Sequence, residues 1–276
     1  MTDEWGDPAR LNRRAWDELA AVHPETPYYD VEGFLDGGSS LYPVEREELA
    51  DVVDAEVDLL HPMCHFGLDT LSWARRVDSV VGVDFSEVAI EQARELADEA
   101  GIENARFVRG NVLDLDLGRS FDVAFTTFGV VGWLDDLDRW ADRLAAHLRA
   151  GGHLYVADVH PAATPFSDVD ADGAAFGAWS HSYFRDEPIR VDADGSYADA
   201  EANLAHTESV QYQHALADVV TAVTGRGLRL EFLHEFPWAD FRIYQGMERD
   251  EFGRWWLPDD VPVDLPLTFS LRAEKT

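Results

Sequence analysis

Short apolar runs recur through the first 160 positions and alternate with stretches of helical spacing. The runs predict strands over 57–61, 80–84, 105–109, 121–127 and 153–160. Between them the helical period marks 69–76, 86–100 and 135–149. Ser86 reads as a helix cap with Glu87 in the first turn, and Gly101 as the stop. Leu137, Trp140, Ala141, Leu144, Ala145 and Leu148 share one face of the next helix, which Gly151-Gly152 ends. Strands alternating with helices imply an α/β chain with a parallel, doubly wound, Rossmann-like sheet.

The flanks read differently. A helix is expected over 7–22, with Leu11, Ala15, Trp16, Leu19 and Ala20 on one face, and a second short helix over 45–53. Residues 1–55 precede the first strand and are expected to fold back over the sheet as a helical cover. Trp16, Tyr28 and Tyr29 in it either pack on the sheet or cover a ligand. Residues 161–206 lack periodicity but carry Phe166, Phe176, Trp179, Tyr183 and Phe184. A loop of that length in a compact domain reads as a lid. With a predicted strand over 207–213 it makes an insertion of 161–213. A helix over 214–224 and strands over 228–236 and 265–273 follow, with an aromatic stretch from Phe236 to Trp256 between the two strands. No helix fits between them, so the pair is expected to be antiparallel. The 276 residues are read as a single domain, 1–276.

Composition narrows the function. The net charge is -32, Lys275 is the only lysine, and 12% of residues are aromatic. Aromatic content separates the chain from acidic disordered segments. A diffuse acidic surface fits a halophile's salt-filled cytoplasm, where a Debye length of about 3 Å at 1 M salt screens self-repulsion. The charge argues against nucleic-acid partners, which need a basic footprint. Cys64, the lone cysteine, excludes an internal disulfide. The start Met1-Thr2-Asp3-Glu4-Trp5 lacks a basic, apolar leader, and no apolar run approaches the ~20 residues of a membrane span. A cytoplasmic protein without a membrane partner is expected.

Chemistry concentrates between Val57 and Asp84. Here a strand, a tight turn (Pro62-Met63-Cys64-His65-Phe66-Gly67), a helix and an acid-ended strand make a nucleotide-binding βαβ unit. Dinucleotide folds use G-x-G-x-x-G so that backbone can approach a pyrophosphate. Met63 and His65 stand in that path, which argues against NAD or FAD and against a nicotinamide oxidoreductase. S-adenosylmethionine, which has no phosphate, suits a one-glycine loop better. Asp84 can accept from two ribose hydroxyls. Phe85 offers a flat face to a base, and Asn111 and Val112 stand where an adenine edge would lie, by side-chain carbonyl and backbone N–H. A solvated Asp, a turn-forming Asn and a core Phe remain the plain alternatives. Removing Asp84 is expected to cost little stability, because it sits at a strand tip. His61, Cys64 and His65 are too close in sequence to converge on a metal, so none is expected.

The stretches Asn12-Arg13-Arg14-Ala15-Trp16-Asp17, Cys64-His65-Phe66-Gly67-Leu68-Asp69-Thr70-Leu71-Ser72, Gly82-Val83-Asp84-Phe85-Ser86, Phe121-Asp122-Val123, Gly132-Trp133-Leu134, Gly151-Gly152 and Leu265-Pro266-Leu267-Thr268-Phe269-Ser270-Leu271 resemble class I S-adenosylmethionine-dependent methyltransferases. More narrowly, they resemble a subgroup with a Cys-His-Phe-Gly turn. The resemblance implies a seven-stranded sheet with an antiparallel last strand and S-adenosyl-L-methionine as cofactor. It implies Asp84 as the ribose acid, Gly67 as the turn glycine and Asn111 at the adenine edge. His65, Phe85, Val112, Trp16 and Tyr29 complete the expected cofactor set. The chain departs from the family pattern at His61, where many members carry an acid, and at Met63 and His65, where they carry glycine.

Methyl transfer then goes to a small-molecule O, N or S atom. His160, at the end of the fifth strand, is the candidate base, or merely a turn residue before Pro161. The aromatic segments suit a planar acceptor, a lid core or a homodimer contact. The competing reading is a non-catalytic S-adenosylmethionine-binding regulator.

Overall fold

The computed structural model describes residues 7–166, 180–244, 246–259, 261 and 265–276. The apolar runs become β1 (Asp58–Pro62), β2 (Ser79–Asp84), β3 (Ala105–Arg109), β4 (Phe121–Thr126) and β5 (Leu148–Val159). β6 (Ile189–Asp192), β7 (Glu208–Gln211), β8 (Leu228–Phe236), β9 (Trp238–Ala239), β10 (Glu248–Arg249), β11 (Trp255–Trp256) and β12 (Thr268–Lys275) follow. The helices are α1 (Asp7–Val22), α2 (Val31–Leu35), α3 (Pro43–Glu48), α4 (Leu68–Ala74), α5 (Glu87–Glu99), α6 (Leu137–His147) and α7 (Leu216–Thr224).

Seven strands form one sheet in the order β3-β2-β1-β4-β5-β12-β8. β1 to β5 pair in parallel, and β12 runs antiparallel to both β5 and β8. This is the expected mostly parallel, doubly wound sheet with an antiparallel last strand. The order reverses at β1 and β4, so a crevice opens beyond their carboxyl ends.

Period-two alternation explains why both faces are apolar. Leu60, Val81, Val83 and Val156 face Trp140 and Leu144 of α6 and Val219 and Val223 of α7. Leu59, Val80, Val123, Phe125 and Tyr155 face Leu41, Leu49 and Trp73 on the other side. α5 buries Ile90, Ala93, Leu96 and Ala97 against Phe66, Leu71 and Phe107. Ser86 caps α5 as expected, its hydroxyl accepting from Ala89 N–H at 3.1 Å. The same hydroxyl donates to Asp17 at 2.7 Å, fastening α1 to the sheet's ligand end. Among the described residues no helix is long and apolar enough to cross a membrane.

Several boundaries move for physical reasons. Leu148 fits the helical period of α6 but pairs with Phe121 in β5. Gly151, at φ 77°, lies in the irregular early part of β5 rather than at a helix end. The short helix expected over 45–53 is α3 over Pro43–Glu48, opened by Pro43. The predicted strand over 207–213 is β7, which pairs with β6 in a ribbon of its own. β9, β10 and β11 form a small sheet from the aromatic stretch between β8 and β12. The final strand begins three residues later than expected and ends two later, as Thr268–Lys275. Phe176 and Trp179 lie outside the described residues.

Candidate active site

The turn after β1 takes left-handed backbone at three positions, only one of which is glycine. Met63 and His65 hold φ of 58° and 52°, and Gly67 holds 79°. Left-handed backbone costs a residue with a side chain about 1–2 kcal/mol, so the surrounding structure must hold this turn in place. One such hold is His65 N–H, which donates to Asp84 Oδ2 at 2.8 Å. Ser86 N–H donates to Asp84 Oδ1 at 2.9 Å. Asp84 is therefore fixed at the tip of β2, beside the crevice. Burial raises its pKa to about 6, against the pull of these backbone donors.

Gly67 serves packing rather than close ligand approach. A Cβ there would lie 2.6 Å from Phe107 Cε1. Gly82 meets the same ring, with a Cβ 2.7 Å from Phe107 Cδ1. Phe107 thus occupies the space that two glycines leave behind the turn.

Above the turn, His65 enters an aromatic group. Trp16 lies edge-on to it at 5.2 Å, and Tyr29 at 5.8 Å. Trp133, from the loop after β4, meets Trp16 at 5.4 Å. His23 Nδ1 and His65 Nε2 share one hydrogen bond at 2.8 Å. Burial lowers the His23 pKa to about 4 and that of His65 well below the usual imidazole value, so both rings are neutral near pH 7. His23, buried and missing from the expected set, also contacts Ser196 Oγ at 3.2 Å. Tyr29 and Tyr197 share a hydroxyl–hydroxyl hydrogen bond.

The segment carrying Ser196 and Tyr197 is tied down elsewhere. Asn12 Nδ2 donates to Val210 O at 2.8 Å, and Val210 N–H donates back to Asn12 Oδ1 at 2.7 Å. Glu18 accepts from the backbone N–H groups of Ala205, at 2.6 Å, and His206, at 3.1 Å. Tyr212 N–H donates to Gly132 O at 2.7 Å. Part of the predicted insertion therefore lies across α1 and the loop after β4.

Asp158 organises that loop. Its carboxylate accepts from the N–H groups of Gly129, Val130, Val131 and Val159 at 2.6 to 2.8 Å. Burial raises its pKa while those donors lower it.

The remaining expected residues divide. Phe85 is half-buried beside Asp84, and its carbonyl accepts from Arg109 Nε at 3.3 Å. Asn111 Oδ1 accepts from Leu113 N–H at 3.0 Å, capping a short 3-10 turn. One lone pair of its carbonyl is engaged in this cap, and the oxygen keeps a second acceptor site. The Val112 side chain is in the core, leaving its backbone as the part that can face a ligand.

His160 does not face the crevice. Its Nε2 bonds Glu235 Oε1 at 2.9 Å and its Nδ1 accepts from Ala162 N–H at 3.0 Å. Both nitrogens are occupied and the ring is buried edge-on to Phe269, on the β12 side of β5. It anchors β8 to the end of β5 and is not presented as a base.

Beside the turn on the α3 side lies a group that the sequence did not single out. Glu45 is 1% exposed, and Oε2 accepts from Tyr42 N–H at 2.7 Å. In the sequence it is one acid in a run of charged positions, and only burial distinguishes it. Among the described residues no three metal-ligating side chains converge. A groove of about 760 Å³ between α5 and β3, lined by Arg94, Arg106 and Phe107, lies at the sheet edge, away from the crevice.

Residues 60–152 match the family model described as a methyltransferase domain. No curated protein matches the chain. A putative S-adenosylmethionine-dependent methyltransferase from Listeria monocytogenes superposes with TM-score 0.59 at 14% identity, over 84% of this chain and 96% of that one. An S-adenosylmethionine-dependent methyltransferase from Mesorhizobium loti gives 0.58 at 20% identity, over 87% and 99%. A geranyl diphosphate C-methyltransferase from Streptomyces coelicolor, solved with S-adenosyl-L-homocysteine, gives 0.52 at 13% identity, over 84% and 79%. Residues 60–152 therefore match a methyltransferase domain, and the chain has the fold of these S-adenosylmethionine-dependent methyltransferases.

Proposed function

We propose that this protein transfers a methyl group from S-adenosyl-L-methionine to a small-molecule O, N or S nucleophile. The observation that carries the reading is the pair formed by the left-handed turn and Asp84, inside the matched domain. Each Asp84 oxygen accepts one backbone N–H and retains acceptor capacity for a ribose hydroxyl. Phe85, the Val112 N–H and the Asn111 side-chain carbonyl, through its second lone pair, are the groups for an adenine. Trp16, Tyr29 and His65 cover the cofactor from above.

The cofactor supplies an electrophilic methyl group. The chain's own task is to align an acceptor with it, and alignment supplies most of the acceleration. The neutral His23–His65 pair and the aromatic group exclude water and add no positive charge near a cationic cofactor. We read residues 180–213 as a lid docked on α1, and the acidic surface and buried Cys64 as those of a reducing, salt-rich cytoplasm. The partner is a small acceptor rather than nucleic acid or membrane, and a homodimer through the exposed aromatics Phe184 and Phe252 fits the same reading.

Calorimetry in molar salt tests the assignment. S-adenosyl-L-homocysteine should bind and NAD should not; NAD binding without S-adenosyl-L-homocysteine binding overturns it. Tight binding with no turnover on a broad acceptor panel favours the regulatory alternative.

A further inference from the structure

We propose that His23 is a positioning residue: it relays the docking of the loop tip at Ser196 and Tyr197 to the first turn, by fixing which nitrogen of His65 carries the proton. The inference goes beyond the methyltransferase reading and rests on it only for the ligand used in one arm of the test.

Hydrogen counting sets the direction of the relay. Ser196 and Tyr197 lie in the connection between β6 and β7. Ser196 Oγ accepts from Ala198 N–H and from Asp199 N–H, each at 3.0 Å. A hydroxyl oxygen has two lone pairs, and both are taken. The hydroxyl proton is therefore the one that goes to His23 Nε2, 3.2 Å away. A neutral imidazole carries a single N–H, so the proton of His23 is on Nδ1. From there it is donated to His65 Nε2 at 2.8 Å. His65 in turn holds its own proton on Nδ1. The Tyr197 hydroxyl oxygen, 3.4 Å from His23 Nδ1, is a second and longer acceptor of the same N–H. Burial keeps both rings neutral, so the chain of donors runs one way, from the loop to the turn.

The two ends of the relay suit these roles. The loop tip is stiff. Ser196 N–H donates to Asp199 O at 2.8 Å, and Gly195, at φ 76°, packs so closely that a Cβ would collide with the Ala200 carbonyl. Such a tip docks or leaves as a unit. His23 is fully buried between it and the turn. The receiver, His65, holds left-handed backbone at φ 52°, and its N–H holds Asp84. Among the described residues the bond to His23 is the one hydrogen bond of its side chain. Docking the loop therefore steadies the residue that steadies the acid at the tip of β2. It also leaves His65 Nδ1–H, on a half-buried ring, as the open end of the relay. That N–H suits an oxygen or nitrogen acceptor on a bound ligand.

The test is nitrogen NMR on the full chain with isotope-labelled histidine in molar salt, with S-adenosyl-L-homocysteine dissociation measured alongside. Wild type should show His23 and His65 each as a single Nδ1–H tautomer. Ser196→Ala should move His65, a residue it does not touch, toward a mixture of tautomers. Ser196→Thr, which keeps the hydroxyl, should restore the wild-type signals. His23→Phe should also shift His65, and in that background Ser196→Ala should do nothing more to it. S-adenosyl-L-homocysteine should leave Ser196→Ala and His23→Phe faster than wild type by roughly two- to tenfold, matching one lost hydrogen bond. Should His23→Phe not fold, Ser196→Ala and its Thr rescue, at a half-buried position, carry the test. An Nε2–H tautomer at either ring in wild type overturns the relay, as does a His65 that ignores Ser196→Ala. Wild-type dissociation rates in the variants overturn the positioning role. A wild type that binds no S-adenosyl-L-homocysteine overturns the methyltransferase reading instead, and the His65 signals then decide the relay alone.

Discussion

His65 N–H donates to Asp84 Oδ2 at 2.8 Å, tying a left-handed turn to the acid at the tip of the neighbouring strand. The bond links cofactor recognition to local stability. Asp84→Ala should weaken S-adenosyl-L-homocysteine at least roughly tenfold, since each hydrogen bond to a charged group contributes about 1.5–3 kcal/mol. It should also lower stability, because the N–H groups of His65 and Ser86 lose their acceptor, at about 1–3 kcal/mol for each group left unpaired. The expectation that a strand-tip acid costs little is corrected by these two bonds. Asp84→Asn should fall between wild type and Ala in affinity. Calorimetry and thermal melts check both; an Ala variant that binds as wild type removes Asp84 from the site.

Gly67→Ala should destabilise by roughly 2–5 kcal/mol, combining a left-handed backbone with overpacking against Phe107. Gly151→Ala is the control. Its φ is 77° but a Cβ there meets nothing within 4 Å, so about 1–2 kcal/mol is expected. Phe107→Leu should partly rescue Gly67→Ala in denaturant melts. Equal losses at the two glycines would mean that the ring does not set the cost.

Acid should unfold the chain partly through its buried histidines. Burial lowers the pKa of His61 to about 3 and of His23 to about 4. An unfolded imidazole titrates near 6.5, so the unfolded chain takes up protons that the folded chain refuses. The stability is whole above pH 6.5 and falls as pH drops through that value towards 4, by up to about 1.4 kcal/mol per pH unit for each ring. Asp84 and Asp240, both raised to about 6, act in the opposite sense between about pH 4 and 6. Comparing wild type with His61→Gln cancels them, and the variant's stability should fall less steeply between pH 6 and 4. Parallel slopes would refute the assignment.

Stability should rise with salt. The charge of -32 has few internal counter-charges, and the screening length grows from about 3 Å at 1 M to about 30 Å at 0.01 M. Melting temperatures across a salt series check this; a flat series would count against a halophilic surface.

Asn12 should govern docking of the lid segment. Asn12→Ala removes both bonds to Val210, one of which protects its N–H. Hydrogen exchange at Val210 should quicken by roughly tenfold or more, matching one lost bond of about 0.5–1.5 kcal/mol plus lost packing. Exchange at Val219, in the core face of α7, should not change.

The chain's local patterns determined most of the sheet. β3 and β8 lie where the apolar runs end, because alternation and turn residues act over a few positions. Ser86 capped its helix and Asp84 ended its strand for the same reason. What pattern cannot carry is the partner a side chain finds across the fold. His160 looked like a crevice base until Glu235, 75 residues later, took its Nε2. His23 and Tyr197 meet across 174 positions, and no local period announces them. Leu148 satisfied the helical spacing yet pairs with Phe121, since a strand ladder outweighs one more helical turn. Glu45 is an ordinary acid in a charged helix by sequence. Tertiary packing alone buries it, and burial is what lifts a carboxylate out of its usual range.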